Sequence, residues 1–343
     1  MLDERKRRVL QAIIDDYIST AEPIGSRTIA RKYNLGVSPA TIRNEMSDLE
    51  MLGYLEQPHT SSGRIPSAKG YRFYVDCLLA PHSISDKEAY LIKHWYEAKV
   101  RRLDELFQET AKVLSKVTNN ISLVMSSQNS QSKFKYLKFL PLDDNRVIAV
   151  VVTDQGLMEN KVIDIPEGTT YDDLRQIALR VNNRLTGLDF QHIEMSVMRE
   201  IKHDLLMDSV VIQSIFDAVQ QAMKQDKADK VYLGGTTHLL NQPEFQDVDK
   251  IKNILSMLEE EQVLCDILHM RDGEGVVVTI GQENKYSGIQ ECSVVQATYR
   301  IDGKVVGTVA ILGPTRMEYG KTMAILDFMH THLGELIKKY QIK

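Results

Sequence analysis

With 343 residues, 43% of them hydrophobic and 26% charged, the chain is long enough to bury two or three separate cores. A net charge of −5 argues against a uniformly basic nucleic-acid binder, and three cysteines without paired spacing, Cys77, Cys265 and Cys292, argue against a disulfide framework or a zinc site. Asp3-Glu4-Arg5-Lys6-Arg7-Arg8 precedes no long apolar stretch and the longest aliphatic run, Val147 to Val152, is too short to span a bilayer, so a cytoplasmic location without membrane contact is expected.

Val9, Leu10, Ile13, Ile14, Tyr17 and Ile18 recur at helical spacing and predict a first helix of about four turns, ending near Thr20 before Pro23. Gly25-Ser26 opens a second helix, with Ser26 as its expected N-cap and Ile29, Ala30 and Tyr33 turned inward before Asn34-Leu35-Gly36 breaks it. A third helix begins at Ser38-Pro39, where Ser38 can cap free amides and Pro39 gives up no needed N–H. At 100° per residue, Ile42, Met46 and Leu49 share one face, while Ala40, Arg43, Asn44 and Ser47 occupy the other. The outward face is small, polar and positive, and Arg and Asn suit guanine and adenine edges respectively.

Gly53 ends that helix. Tyr54-Leu55-Glu56-Gln57 and Arg64-Ile65 then pair as a hairpin around the polar loop Pro58-His59-Thr60-Ser61-Ser62-Gly63, a wing whose hydroxyls, amides and Arg64 suit phosphate oxygens. Ser67 caps a further helix that buries Tyr71, Tyr74, Val75 and Leu78 and leaves Lys69 and Arg72 free, with no acidic residue between Gln57 and Val75. This order predicts a winged helix-turn-helix. Its candidate DNA-binding residues are Ser38, Ala40, Thr41, Arg43, Asn44 and Ser47 on the third helix, His59, Thr60, Ser61, Ser62, Gly63 and Arg64 in the wing, and Lys69 and Arg72 beyond it. Residues 1–82 hold 11 Lys and Arg against 10 Asp and Glu, and the remainder 31 against 37, so any positive potential is local and the acidic body stays away from DNA.

After Ala80-Pro81-His82-Ser83 the pattern predicts a long amphipathic helix from about Ser85 to Thr118, a strand over 121–125 and a polar linker over 126–133. Three apolar runs, 136–142, 147–153 and 158–165, are separated by short turns and predict an antiparallel meander, followed by helices over 171–185 and 210–224. The remainder predicts strands over 230–234, 276–280, 292–299 and 304–312, a helix over 249–261 and a closing helix over 323–338.

Enzyme signals are weak. Gly234-Gly235-Thr236-Thr237 lacks the Lys of a phosphate loop and reads as a turn at a strand end. His330 and His332 point to different sides of a helix, Asp143-Asp144 and Asp172-Asp173 read as a turn and a helix N-terminus, and Glu259-Glu260-Glu261 reads as a solvated helix end. No enzymatic activity, metal or cofactor is therefore expected.

Pro23-Ile24-Gly25-Ser26, Val37 to Met46, Leu52-Gly53-Tyr54-Leu55, His59 to Pro66 and Lys69 to Asp76 together resemble the HrcA family of bacterial heat-inducible transcription repressors, and the resemblance returns at Gly313 to Tyr319. It spans nearly the whole chain in the family's order. The resemblance implies an α+β multidomain fold: a winged helix over 1–82, a GAF-like domain from 83–131 and 229–343, and an inserted dimerising domain over 132–228 that carries the three-stranded meander. It also implies a homodimer on an inverted-repeat DNA operator upstream of chaperone genes, with activity maintained by the GroE chaperonin. Two other readings remain at this level, a GAF-type small-molecule-sensing transcription regulator and a protein-interaction module with a vestigial winged helix.

Overall fold

The computed structural model describes residues 2–59, 62–95, 103–126, 133–143, 145–153, 158–165, 169–188, 217, 229–269, 275–301 and 304–341. Contacts group the chain into two compact units, Met1–Ser126 with Lys230–Lys343, and Ser127–Asp229.

Helix α1 (Glu4–Thr20) starts at Asp3, whose carboxylate accepts the Lys6 amide at 2.8 Å. Its stripe of Val9, Leu10, Ile13 and Ile14 is fully buried together with Ile29 of α2 (Ser26–Lys32) and Ile42 and Leu49 of α3 (Pro39–Met51). The expected cap at Ser26 is corrected: Gly25 is the extended residue before α2, Ser26 is already helical, and the start has no side-chain cap. Ser38 does cap α3, accepting the Thr41 amide at 3.1 Å, and Gly53 at φ +76° reverses the chain after it.

Strands β1 (Leu55–Glu56) and β2 (Ile65–Pro66) pair antiparallel. Arg64, expected in that ladder, bridges instead to Ile24, with N–H···O bonds of 3.0 and 2.9 Å. Helix α4 (Ala68–Phe73), capped by Ser67, runs into one π-helical turn, Tyr74–Leu78.

Where one long helix is predicted, α5 (Asp86–Trp95) and α6 (Leu103–Thr118) are described, with 96–102 outside the described residues. Strand β3 (Ile121–Ser126) follows and takes in Ser126, so the polar stretch begins one residue later than predicted; 127–132 lie outside the description.

In the second unit β4 (Phe134–Asp143), β5 (Arg146–Thr153) and β6 (Met158–Asp164) form a three-stranded antiparallel sheet in chain order. Helix α7 (Tyr171–Leu185) has a Thr170/Asp173 capping box and covers one face, burying Leu174, Ile177, Val181 and Leu185 against Leu137, Phe139, Ala149, Val151 and Ile163. Asn182 on α7 clips β4 from the side: it accepts the Leu137 amide at 2.6 Å and donates to its carbonyl at 3.0 Å. Of the helix predicted over 210–224, only Asp217 is described, as helical.

The first unit resumes with β7 (Lys230–Gly234), α8 (Val248–Glu259), α9 (Glu261–His269), β8 (Val276–Ile280), β9 (Cys292–Ile301), β10 (Lys304–Pro314) and α10 (Tyr319–Gln341). One antiparallel sheet runs β7-β3-β10-β9-β8, so segments from both sides of the second unit join in it. Residues of α6 and α10 pack on one face and those of α8 and α9 on the other. Because Tyr71, Tyr74 and the α1–α3 stripe belong to the same buried cluster as the α6/α10 face, the winged helix shares a continuous apolar core with this layered body.

Candidate nucleic-acid interface

The outward face of α3 is built as its periodicity requires. Ala40, Arg43, Asn44 and Ser47 are exposed, while Ile42, Met46 and Leu49 are buried. Arg43 and Asn44 meet no hydrogen-bond partner among the described residues, so both side chains can turn to an external ligand. Ser38 and Thr41 are occupied with the cap, their hydroxyls 2.9 Å apart.

Behind that face a charge cluster fixes the helix. Glu45, buried on α3, meets Lys6 Nζ at 2.9 Å and Arg5 at 3.5 Å, and Lys6 also reaches Asp48 at 3.1 Å. Hydrogen bonds to Glu45 and then Asp48 hold the Lys6 ammonium above its ordinary pKa. Sequence reading passed over this buttress because its partners lie on different helices.

The wing is more internally committed than its composition suggests. The Ser62 hydroxyl accepts the His59 amide at 3.0 Å and donates to the His59 carbonyl at 2.7 Å, which folds the loop on itself. His59 is exposed; Thr60 and Ser61 lie outside the described residues. Gly63 allows close approach, since a Cβ there would stand 2.4 Å from the Ile24 carbonyl. Arg64 donates from Nε and Nη2 to Glu50 Oε2 at 2.8 and 2.7 Å, tying the wing's base to the end of α3.

The expectation that Lys69 and Arg72 are free is corrected. Lys69 donates to the Leu52 carbonyl at 2.8 Å, with its ammonium 4.6 Å from the centre of the Tyr54 ring. Arg72 grips Glu283 with Nε and Nη2 at 2.9 and 2.5 Å, donates to the Val278 carbonyl at 2.7 Å and reaches Asp76 at 3.2 Å. Asp76, four residues on, is a local acceptor for Arg72, but the others, from β8 and its following turn or from the end of α3, reach these cations through the fold and leave no trace in local sequence.

Elsewhere the chemistry is structural. Burial pushes the Cys292 thiol up to about 12, far from a reactive thiolate. Gly234-Gly235 ends β7, with Gly235 in the left-handed region. A cavity of about 50 Å³ lined by Thr279, Asn284, Tyr286 and Gln296 among others is sized for a few waters. Among the described residues no cluster of His, Cys, Asp or Glu is placed to hold a metal ion, and no helix is long and apolar enough to cross a membrane.

A short helix, a turn, a second helix with a free polar face and a hairpin wing define a winged helix-turn-helix DNA-binding protein. Family comparison gives the same answer over most of the chain. Residues 1–75 match the winged helix-turn-helix transcription repressor, HrcA DNA-binding, and residues 104–323 match the HrcA protein C terminal domain. The heat-inducible transcription repressor HrcA of Pelotomaculum thermopropionicum is 45% identical over 98% of this chain and 97% of its own. That of Symbiobacterium thermophilum is 44% identical over 98% and 99%. A solved crystal structure of a hypothetical protein shares the fold, with a TM-score of 0.67 at 21% identity, covering 99% of this chain and 100% of that one. The chain belongs to the HrcA family of heat-inducible transcription repressors, a family of DNA-binding regulators and not of enzymes.

Proposed function

We propose that the protein represses transcription in the cytoplasm as a homodimer on an inverted-repeat operator of chaperone genes, each protomer laying α3 in the major groove. The observation that carries this reading is the face of Ala40, Arg43, Asn44 and Ser47: it is exposed, small enough for close approach, and supplied with one guanidinium and one amide that no group among the described residues uses. The wing, from His59 to Arg64, lies beside the backbone and aligns the helix. Modulation by the GroE chaperonin and a GAF-like character for the layered body are what the family resemblance adds.

Dimerisation is assigned to the unit of residues 132–228. On the sheet face away from α7, Leu140, Ile148 and Val162 stand opposite one another across all three strands, and Leu140 and Val162 remain 42% and 52% exposed, beside Tyr136 at 41%. An apolar row of that kind suits a second copy of itself across a twofold axis. Two half-sites are needed because a single helix reads only a few base pairs.

The test is footprinting and sedimentation on one preparation. The expected result is protection of an inverted repeat upstream of chaperone genes by a dimer, and a monomer with operator affinity reduced to that of a half-site for Leu140→Glu with Val162→Lys. Protection of no promoter site would overturn the repressor reading; an unaltered dimer would remove the sheet face from the interface.

A further inference from the structure

The DNA-reading domain is not tethered to the body by a passive linker. Two arginines, one from each side of the seam, clamp it. Arg316 lies just after β10 and sends Nη1 to the Ile18 carbonyl at 2.6 Å, while Nε and Nη2 hold Glu244 at 2.6 and 3.5 Å and Nη2 reaches Gln242 at 3.3 Å. Ile18 is in the last turn of α1, where carbonyls lack helical partners and the dipole favours a cation. That turn contains no basic residue of its own, and Arg316, 298 positions away in sequence, provides the charge. From the other side Arg72 enters the body with its fork on Glu283, and Glu283 is itself fixed by accepting the Ile280 amide at 2.8 Å.

Between the two clamps Tyr71 packs on Tyr319, ring centres 5.9 Å apart. Tyr319 is anchored from below, its hydroxyl 2.7 Å from that of Ser293 and donating to the Thr315 carbonyl at 2.6 Å. The Tyr71 hydroxyl is buried there without a hydrogen-bond partner among the described residues.

We propose that Arg72, Glu283 and Arg316 are positioning residues for operator recognition: they set the angle of the winged helix on the body, and so the separation and tilt of two recognition helices in a dimer. The proposal rests on the dimeric, two-half-site reading above. A rigid joint presents both helices in register, whereas a loose one must order them when DNA binds and loses affinity for the full site while each half-site contact stays intact. The sequence Gly313 to Tyr319 thereby gains a role distinct from core filling: it supplies Arg316 and Tyr319 to the seam. The same joint gives an acidic residue an expected part in DNA binding. Removing Glu283 would raise affinity if only net charge counted; here it lowers it.

The test combines a distance and an affinity in the full-length chain. Spin labels at Arg27→Cys on α2 and Asp327→Cys on α10, in a Cys77→Ser background diluted with unlabelled protein, report the joint within one protomer by double electron–electron resonance. One narrow distance peak is expected, broadening at least about twofold in Glu283→Ala and in Arg316→Ala and narrowing again when Arg72→Glu is combined with Glu283→Arg. In parallel, Glu283→Ala should lose about tenfold or more on the full inverted repeat, because effective concentration falls, yet stay within about twofold on a single half-site duplex. Narrow distributions in both single variants would overturn the proposal. So would equal losses on half-site and full site for Arg72→Glu that the exchanged pair fails to restore, which would make Arg72 a DNA contact. Failure of the dimeric reading has a separate signature, an unsubstituted chain that binds the full repeat no tighter than the half-site, and the distance measurement decides the joint in that case as well.

Discussion

Arg43 on α3 and Arg72 on α4 carry the same guanidinium within one small domain, yet one is exposed with no acceptor among the described residues and the other is fastened to Glu283, Val278 and Asp76. The contrast separates two faces. On the outward face of α3 side chains are short or unengaged, so their hydrogen-bonding capacity is available to bases. Toward the body, Arg72 has found oxygens of the protein itself. Positive charge near a recognition helix is therefore poor evidence for DNA contact until its internal partners are known.

The largest effect is expected where the fixed side admits no extra atom. Gly63→Ala forces a methyl group into the Ile24 backbone, and overpacking of this kind costs about 1–3 kcal/mol. Thermal unfolding should show the loss, with operator binding falling as the wing leaves its place; an unchanged melt would mean the wing base relaxes freely.

A sharper division concerns Arg64, which sits at the border of the two faces. Sequence reasoning makes it a phosphate contact, for which Arg64→Ala lowers the salt slope of binding by about 1. Its bonds to Glu50 predict instead a slope change well under one unit, with the affinity loss shared by Glu50→Ala. Titrations across a salt series decide: a full unit would show that DNA draws Arg64 away from Glu50.

The smallest effect comes from Asp15, whose partly buried carboxyl is raised above its ordinary pKa chiefly by desolvation, although the Tyr74 hydroxyl donates to it at 2.7 Å and opposes the shift. A raised folded-state pKa favours the protonated acid, so its contribution is present below the unfolded pKa and is lost as pH rises through the folded one. Asp15→Asn keeps the acceptor for Tyr74 without the charge. Water around the exposed part of the group screens the gain, so stability should rise by less than about 1 kcal/mol at neutral pH and not at all in acid. Equal gains at both pH values would point to packing.

Much of this molecule was legible because local rules wrote it. Ser38-Pro39 and Gly53 bound α3, and the three apolar runs over 136–142, 147–153 and 158–165 fall on β4, β5 and β6. Glu259-Glu260-Glu261 is the solvated helix end expected, but the single helix predicted over 249–261 stops there: Glu260 is extended, and Glu261 opens α9 at the positive end of a new dipole. The chief acceptor of Arg72 was beyond any local pattern because it is distant: Glu283 lies 211 positions away, and no spacing rule connects the two. What periodicity could show was which face of α3 is free, and that face is where the structure leaves Arg43 and Asn44.

The central claim, that α3 reads bases with this face, is tested most directly by fluorescence anisotropy of Arg43→Ala and Asn44→Ala on operator and on scrambled duplex of equal length. The account predicts a loss of about 1–3 kcal/mol on the operator for each variant and a much smaller loss on the scrambled duplex. Equal losses on both duplexes would contradict it, and would make these two side chains phosphate contacts.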